Sequence, residues 1–294
     1  MSGITDTTRG YIFGFIGVAI FGATLPATRL AVEVFDPWFI TAARAAIAGI
    51  AAAVCLLVMG KKVPNGAGPT LIVIALCLIF GFPGFSSLAM VTVPASHGGV
   101  VLGILPLATA VAAVLVAGER PPARFWALAV VGAGLVVAFS MRKGGFSISA
   151  GDWWLFAAGV SAAFGYALSG RMARNLPGWE VISWALVFCL PITITASWVL
   201  WEPVYASANQ IQWLSLGYLG FFSMFLGFFA WNTGLALGGV AQVGQVQLLQ
   251  TFITLAVSAV LLGEHIDSET LFFAVAVVAV VALGKRRSAK AKTI

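Results

Sequence analysis

Charge is what this sequence has least of. Only 9% of its 294 residues are charged, against about 25% in an ordinary soluble domain. Hydrophobic residues make up 61%, and mean hydropathy is +1.02. A chain so composed has lipid as its solvent, which excludes a soluble globular enzyme, a disordered protein and a nucleic-acid binder. The sequence pI of about 9.6 reflects a net charge of only +6. The basic residues sit at the ends of apolar runs, as membrane topology requires. Cysteine and histidine are also scarce. Cys55, Cys77 and Cys189 each lie inside an apolar run, where a cysteine acts as a small buried hydrophobe rather than part of a disulfide framework. Two histidines without a cysteine cluster make no metal site, and no cofactor is expected. No phosphate-binding G-x-x-x-x-G-K-[ST] loop is present, so the chain does not draw directly on ATP. Nor is a cleavable leader expected, because the first apolar segment runs longer than a signal-peptide core.

What is present is a series of long apolar runs. A helix needs about 20 residues to cross the hydrocarbon layer. Ten such spans are expected, at 10–34, 38–59, 69–92, 95–117, 122–141, 151–174, 179–201, 211–236, 240–262 and 269–285. Helices are the spanning structure expected, since lipid leaves every backbone polar group to be satisfied internally and the runs do not alternate as barrel strands do. Proline and glycine punctuate the short connections, as at Asp36-Pro37, Pro64-Asn65-Gly66, Gly144-Gly145 and Gly238-Gly239,. With both termini in the cytoplasm, twelve of the sixteen basic residues fall on the inner side, and only Arg142 and Lys143 lie in outer connections. The positive-inside rule selects that orientation, and eight tryptophans near span ends, Trp38 and Trp179 among them, read as interfacial anchors.

The layout repeats. Span 4 ends in Gly118-Glu119-Arg120 and span 9 in Gly263-Glu264-His265, and each is followed by one shorter apolar span and then basic residues. Five spans per repeat force the second half to enter the membrane from the opposite side. The expected fold is an all-α integral membrane protein of two inverted five-helix repeats, 1–145 and 146–294. Such inverted repeats bind substrate at their interface near the midplane. Ten spans, two five-span repeats and a Gly-Glu closing spans 4 and 9 resemble the drug/metabolite transporter superfamily and, within it, the EamA-type family. The chain also resembles aromatic amino acid exporters of the YddG type. The resemblance implies export of amino acids or related metabolites, with spans 1–4 and 6–9 lining a cavity and 5 and 10 peripheral. The expected setting is a bacterial-type inner membrane. The expected partners are a small-molecule substrate and the bilayer, and a monomer suffices because one chain holds both repeats.

Polar residues within spans are costly, and each is a candidate functional residue. No Asp or Glu lies near the middle of a span, and Val18-Ala19-Ile20-Phe21 offers no carboxylate in span 1. Strong binding of lipophilic cations, and with it proton-coupled drug efflux, is therefore the second reading. His97, one turn into span 4, is either a substrate or proton ligand or a partner for a neighbouring helix. In span 9, Gln242 and Gln245 share a face, as Gln247 and Gln250 nearly do, and Asn232 in span 8 follows the same logic. These amides either fix a zwitterion or bond neighbouring helices. Phe82, Phe85, Tyr166 and Trp184 are candidates for an aromatic wall around a substrate. Pro26, Pro83, Gly84 and Pro106 are candidate hinges, since a proline inside a helix frees a carbonyl and bends the axis. Arg44, two turns into span 2, is read first as a structural pair with Glu33 or Asp36 and second as a ligand for an anionic group. Arg29 and Glu33 are spaced to pair on span 1. An intramembrane enzyme using Ser86 and His97 lacks an orienting carboxylate in the sequence and is the remotest reading.

Overall fold

The computed structural model describes residues 6–64, 66–117, 123–143, 148–173, 175–238 and 243–285. Among them every regular element is helical. The helices are α1 (Asp6–Gly22), α2 (Thr24–Ala31), α3 (Pro37–Val58), α4 (Gly68–Ala75), α5 (Phe82–Thr92), α6 (Ala95–Val101), α7 (Leu105–Ala117), α8 (Ala123–Lys143), α9 (Ala150–Met172) and α10 (Gly178–Val199). They continue with α11 (Gln210–Gly217), α12 (Gly227–Gly238), α13 (Leu248–Leu262) and α14 (Ser268–Lys285). Seven stretches of the described residues are long and apolar enough to cross a membrane: Thr8–Ala31, Pro37–Val58, Gly68–Thr92, Ala95–Val116, Trp126–Lys143, Gly178–Val199 and Gln210–Leu237. Leu248–Leu262 and Ser268–Val280 are shorter apolar helices, and α9 adds 23 residues.

The surface of the bundle is apolar where a soluble protein would be polar. Leu57 is 79% exposed, Trp198 81% and Val260 82%. Such an apolar exterior needs a covering partner, and for long apolar helices that partner is lipid.

Several spans expected to be continuous are interrupted. Span 1 breaks at Ala23 into α1 and α2. Pro26 is the cause: it has no N–H for the carbonyl four residues back, and that carbonyl, Gly22 O, instead accepts the Thr254 hydroxyl at 2.8 Å. A π-helical turn, Leu76–Gly81, joins α4 to α5 just before Pro83. Here the Cys77 carbonyl takes the Ser161 hydroxyl at 2.9 Å. A 3₁₀ turn, Leu102–Ile104, precedes Pro106. Between α11 and α12 a second π-helical segment, Tyr218–Leu226, contains no proline.

Helices pack across the sequence midpoint. α1 lies along α12 and also meets α13; α9 lies along α5 and also α7; α3 packs on α10, and α8 on α14. Glycines permit the closest approaches. A Cβ on Gly234 would stand 2.6 Å from the Gly14 nitrogen, and one on Gly178 2.8 Å from the Asn232 backbone. At one end of the bundle charged groups tie helix termini together. Val93, before Pro94, is extended and ends α5,. Arg29 donates to the Met90 and Val91 carbonyls at that end. Glu264 accepts the Ala95 and Ser96 N–H groups that open α6, both at 2.8 Å. A cation thus meets orphan carbonyls and an anion meets orphan N–H groups, each as the helix dipole favours. Gly263 reverses the chain for this purpose at φ +64,. Gly118-Glu119 lies outside the described residues.

Candidate functional site

The helix interruptions surround one central cavity. Its volume, measured as the space open to the centre of a water molecule, is about 20 Å³, enough for a water or two. Phe21, Thr24 and Leu25 come from the α1–α2 break, Leu78, Phe82 and Pro83 from the first π turn and α5, and Ser223 and Met224 from the second π segment. α3 gives Arg44, α9 Tyr166, α12 Phe228 and α13 Gln250. A second space of about 10 Å³ adjoins it, sharing Leu25 and Gln250 and adding Gly99, Gln247, Thr251 and Thr254. π turns concentrate at functional sites because they leave backbone groups and side chains off the regular register.

Arg44 dominates the chemistry. It is 2% exposed. Its Nη2 donates to Ser223 Oγ at 3.0 Å, and Ser223 Oγ shares a 2.8 Å hydrogen bond with Thr24 Oγ1. Its Nε and Nη1 are buried without a partner. No carboxylate lines the cavity among the described residues. Leaving a buried cation unpaired costs several kcal/mol, a cost that a ligand can offset. The expected pair with Glu33 is not formed. Asp36 caps α3, with Oδ1 accepting Trp38 N at 2.7 Å, so Arg44 lies about 12 Å further along the axis at 1.5 Å per residue. That exceeds the reach of its side chain. Glu33 accepts Gln212 Nε2 at 3.2 Å, and Arg29, expected to pair with Glu33, serves the α5 carbonyls instead.

Aromatic rings form one side of the cavity and the layer behind it. Phe21 meets Phe228 at 5.0 Å, edge to face, and Tyr166 lies 6.0 Å from Phe228 and 6.4 Å from Trp231. Of the sequence candidates, Phe82, Tyr166, Pro83 and Arg44 line the cavity, and Pro26 and Pro106 follow helix interruptions at its edge. The others are placed elsewhere. Phe85 stacks on the part-exposed Trp154 at 5.8 Å. Trp184 packs in the core beside Phe188. Gly84 makes room for Trp38, whose ring a Cβ would meet at 3.1 Å. Asn232 bonds a neighbouring helix, its Nδ2 donating to Gly178 O at 2.9 Å. Gln242 lies outside the described residues, and the Gln245 backbone lies in the 3₁₀ turn Gly244–Gln247. His97 pairs with the buried Asp152 at 2.6 Å and stacks on Phe139 at 4.9 Å. Asp152 also closes the capping box of α9 with Ser149. Ser86 donates to Pro83 O, so Ser86 and His97 are committed to different partners. Sequence reasoning missed Phe21, Thr24, Ser223 and Phe228, which look like ordinary residues of apolar spans. The signals that did point to the cavity were the charge of Arg44, the in-span Pro83 and the aromatics Phe82 and Tyr166.

An all-helical, lipid-surfaced bundle around a buried polar cavity is the architecture of a membrane carrier. The EamA-like transporter family matches the chain twice, over residues 8–141 and 149–284. A Bacillus subtilis (strain 168) protein named uncharacterized transporter YdeK is 43% identical over 96% of this chain and 99% of its own length. Another from the same organism, uncharacterized transporter YyaM, is 25% identical over 83% of each chain. A solved crystal structure, 22% identical, shares the fold with a TM-score of 0.64 over 94% of this chain and 96% of that one. The chain belongs to the EamA-like transporter family of the drug/metabolite transporter superfamily and is a multi-pass integral membrane protein.

Proposed function

We propose that this protein is a secondary transporter that exports amino acids, aromatic ones included, and related small metabolites across the inner membrane. Ten spans form two inverted five-helix repeats, 1–145 and 146–294, with both termini cytoplasmic, and the repeats rock about the central cavity to give alternating access. The family match to each half and the reciprocal packing of α1 on α12 and α9 on α5 support two related halves. π segments fall at corresponding places, Leu76–Gly81 and Tyr218–Leu226. The observation that carries the function is the cavity, drawn from both halves, which sets Arg44 and Tyr166 beside the Phe21 and Phe228 rings. Transport runs down the substrate gradient, because the cavity lining contains no carboxylate or histidine among the described residues.

The test is flux in proteoliposomes for Phe, Trp, Thr and Ala, with and without a pH gradient. Saturable flux is expected, indifferent to the gradient in both wild type and His97→Ala. Flux driven by the gradient and lost in His97→Ala would establish proton coupling instead. Silence across the panel, with transport of lipophilic drugs, would overturn the amino acid reading.

A further inference from the structure

We infer that Arg44 is the anion anchor of the central cavity and that the transported molecules are monocarboxylates, held with the carboxylate on the guanidinium and the apolar remainder against Phe21, Phe82 and Phe228. The inference rests on the transporter reading and names its substrate class. The chain shows how it satisfies an arginine that has a purely structural role. Arg29 is spent on the α5 carbonyls, and Arg171 donates to Val116 O at 3.1 Å. Arg44 has only the Ser223 hydroxyl, and the donors of Nε and Nη1 stay free in a buried setting. The two carboxylates closest to it in sequence lie out of its reach and are committed elsewhere, Asp36 to capping α3 and Glu33 to Gln212. Among the described residues no carboxylate lines the cavity to supply the counter-charge, and a bound ligand can bring it.

The shape and charge of the group narrow the ligand. A planar guanidinium matches a carboxylate, two N–H donors to two oxygens. A neutral ligand would leave the cation uncompensated, and a cationic one would be repelled. A dianion such as a phosphate monoester would bring a second negative charge that no other cation on the cavity lining meets among the described residues. Gln250, on the same lining, holds a buried amide oxygen with no partner. That oxygen suits an N–H donor on the substrate, so an α-amino acid and a simple monocarboxylate share the anchor and differ only at Gln250.

The experiment uses the full-length protein in two formats. In proteoliposomes, uptake is compared for phenylalanine, 3-phenylpropionate, phenylalaninamide and phenethylamine. In detergent, the melting temperature is read with each compound added. Both carboxylates are expected to be carried, at least about tenfold faster than the amide or the amine, because an anchor left unpaired rejects the ligand that lacks its partner. Only the carboxylates are expected to raise the melting temperature. Arg44→Met should lose carboxylate flux about tenfold or more and lose the stabilisation, while Arg44→Lys keeps the charge and a fraction of both. Gln250→Leu should slow phenylalanine more than 3-phenylpropionate. If Arg44→Met does not fold, the wild-type comparison of carboxylate with amide decides alone. Equal transport of amide and carboxylate, or wild-type carboxylate flux in a folded Arg44→Met, would overturn the anchor while leaving the transporter reading intact. Stabilisation by carboxylates without flux would retain the anchor and overturn the amino acid transport reading. No response of either kind to any carboxylate would overturn the anchor.

Discussion

Glu264 accepts both N–H groups that open α6, and this gives the Gly-Glu pair at the end of span 9 a physical role. Gly263 supplies the left-handed turn and Glu264 the cap for a helix in the other half of the chain. Removing the carboxylate strands two backbone donors. Glu264→Ala should therefore destabilise the protein by about 1–2 kcal/mol, whereas Glu264→Gln, which keeps one acceptor, should cost less. Thermal unfolding in detergent measures both; equal stability of Glu264→Ala and wild type would remove the capping role. The sequence shows this pair as a repeated motif but gives no hint of its partner, since Ala95 and Glu264 are 169 residues apart. Arg44 follows the same logic. Its depth in an apolar run marks it as exceptional, yet its relation to Glu33 depends on where α3 begins along its axis. His97 looked like a ligand because a lone imidazole in a span is costly; the structure meets that cost with Asp152, which the sequence places in a different span.

The elements that shape the cavity are helices interrupted on purpose. Prolines in the sequence disclose three of the interruptions: Pro26, Pro83 and Pro106 each follow a break or a changed helical pitch. The π segment Tyr218–Leu226 has no such marker, which is why Ser223 escaped notice. The Pro26 break is held open by Thr254, whose hydroxyl occupies the freed Gly22 carbonyl. Pro26→Ala restores a donor for that carbonyl and straightens α1 into α2. The expected outcome is a melting temperature equal to or above wild type with turnover reduced severalfold. Unchanged turnover would show that the break is a static feature. Thr254→Val tests the same contact from the other side. It leaves the carbonyl buried and unpaired, and should cost about 1–3 kcal/mol.

At the scale of the molecule, the two halves are joined by a core that any apolar chain could form and by a few charged ties that only this sequence specifies. α8 and α14 are clasped by Arg142 with Glu269 and by Lys143 with Asp267. The Lys143 ammonium, with the Thr270 hydroxyl and backbone N–H, holds the Asp267 carboxyl below the usual carboxylate range. A depressed carboxyl contributes stability that is complete above its unfolded value of about 3.9 and is lost as pH falls through the folded value. The clasp should therefore contribute in full, with no pH dependence of its own, between pH 7 and 5, and the difference in melting temperature between wild type and Asp267→Asn should shrink only below about pH 4. A difference that already shrinks between pH 7 and 5 would mean the clasp is not the group titrating. Composition and span lengths made the helical membrane architecture legible in the sequence, because hydropathy and chain reach are local properties. The cavity was legible only in part, through Arg44, Pro83, Phe82 and Tyr166, because its walls are assembled from residues up to 229 positions apart, Phe21 and Gln250 being the extremes.

Counterflow tests the central claim most directly. Proteoliposomes loaded with unlabelled phenylalanine are diluted into a trace of labelled phenylalanine, without any ion gradient. A carrier whose single cavity is exposed to one side at a time exchanges inner for outer substrate, so the label should accumulate transiently above its equilibrium level and then decay. Label that only rises to equilibrium, with unloaded vesicles filling equally fast, would mean an open passage and contradict alternating access around the Arg44 cavity.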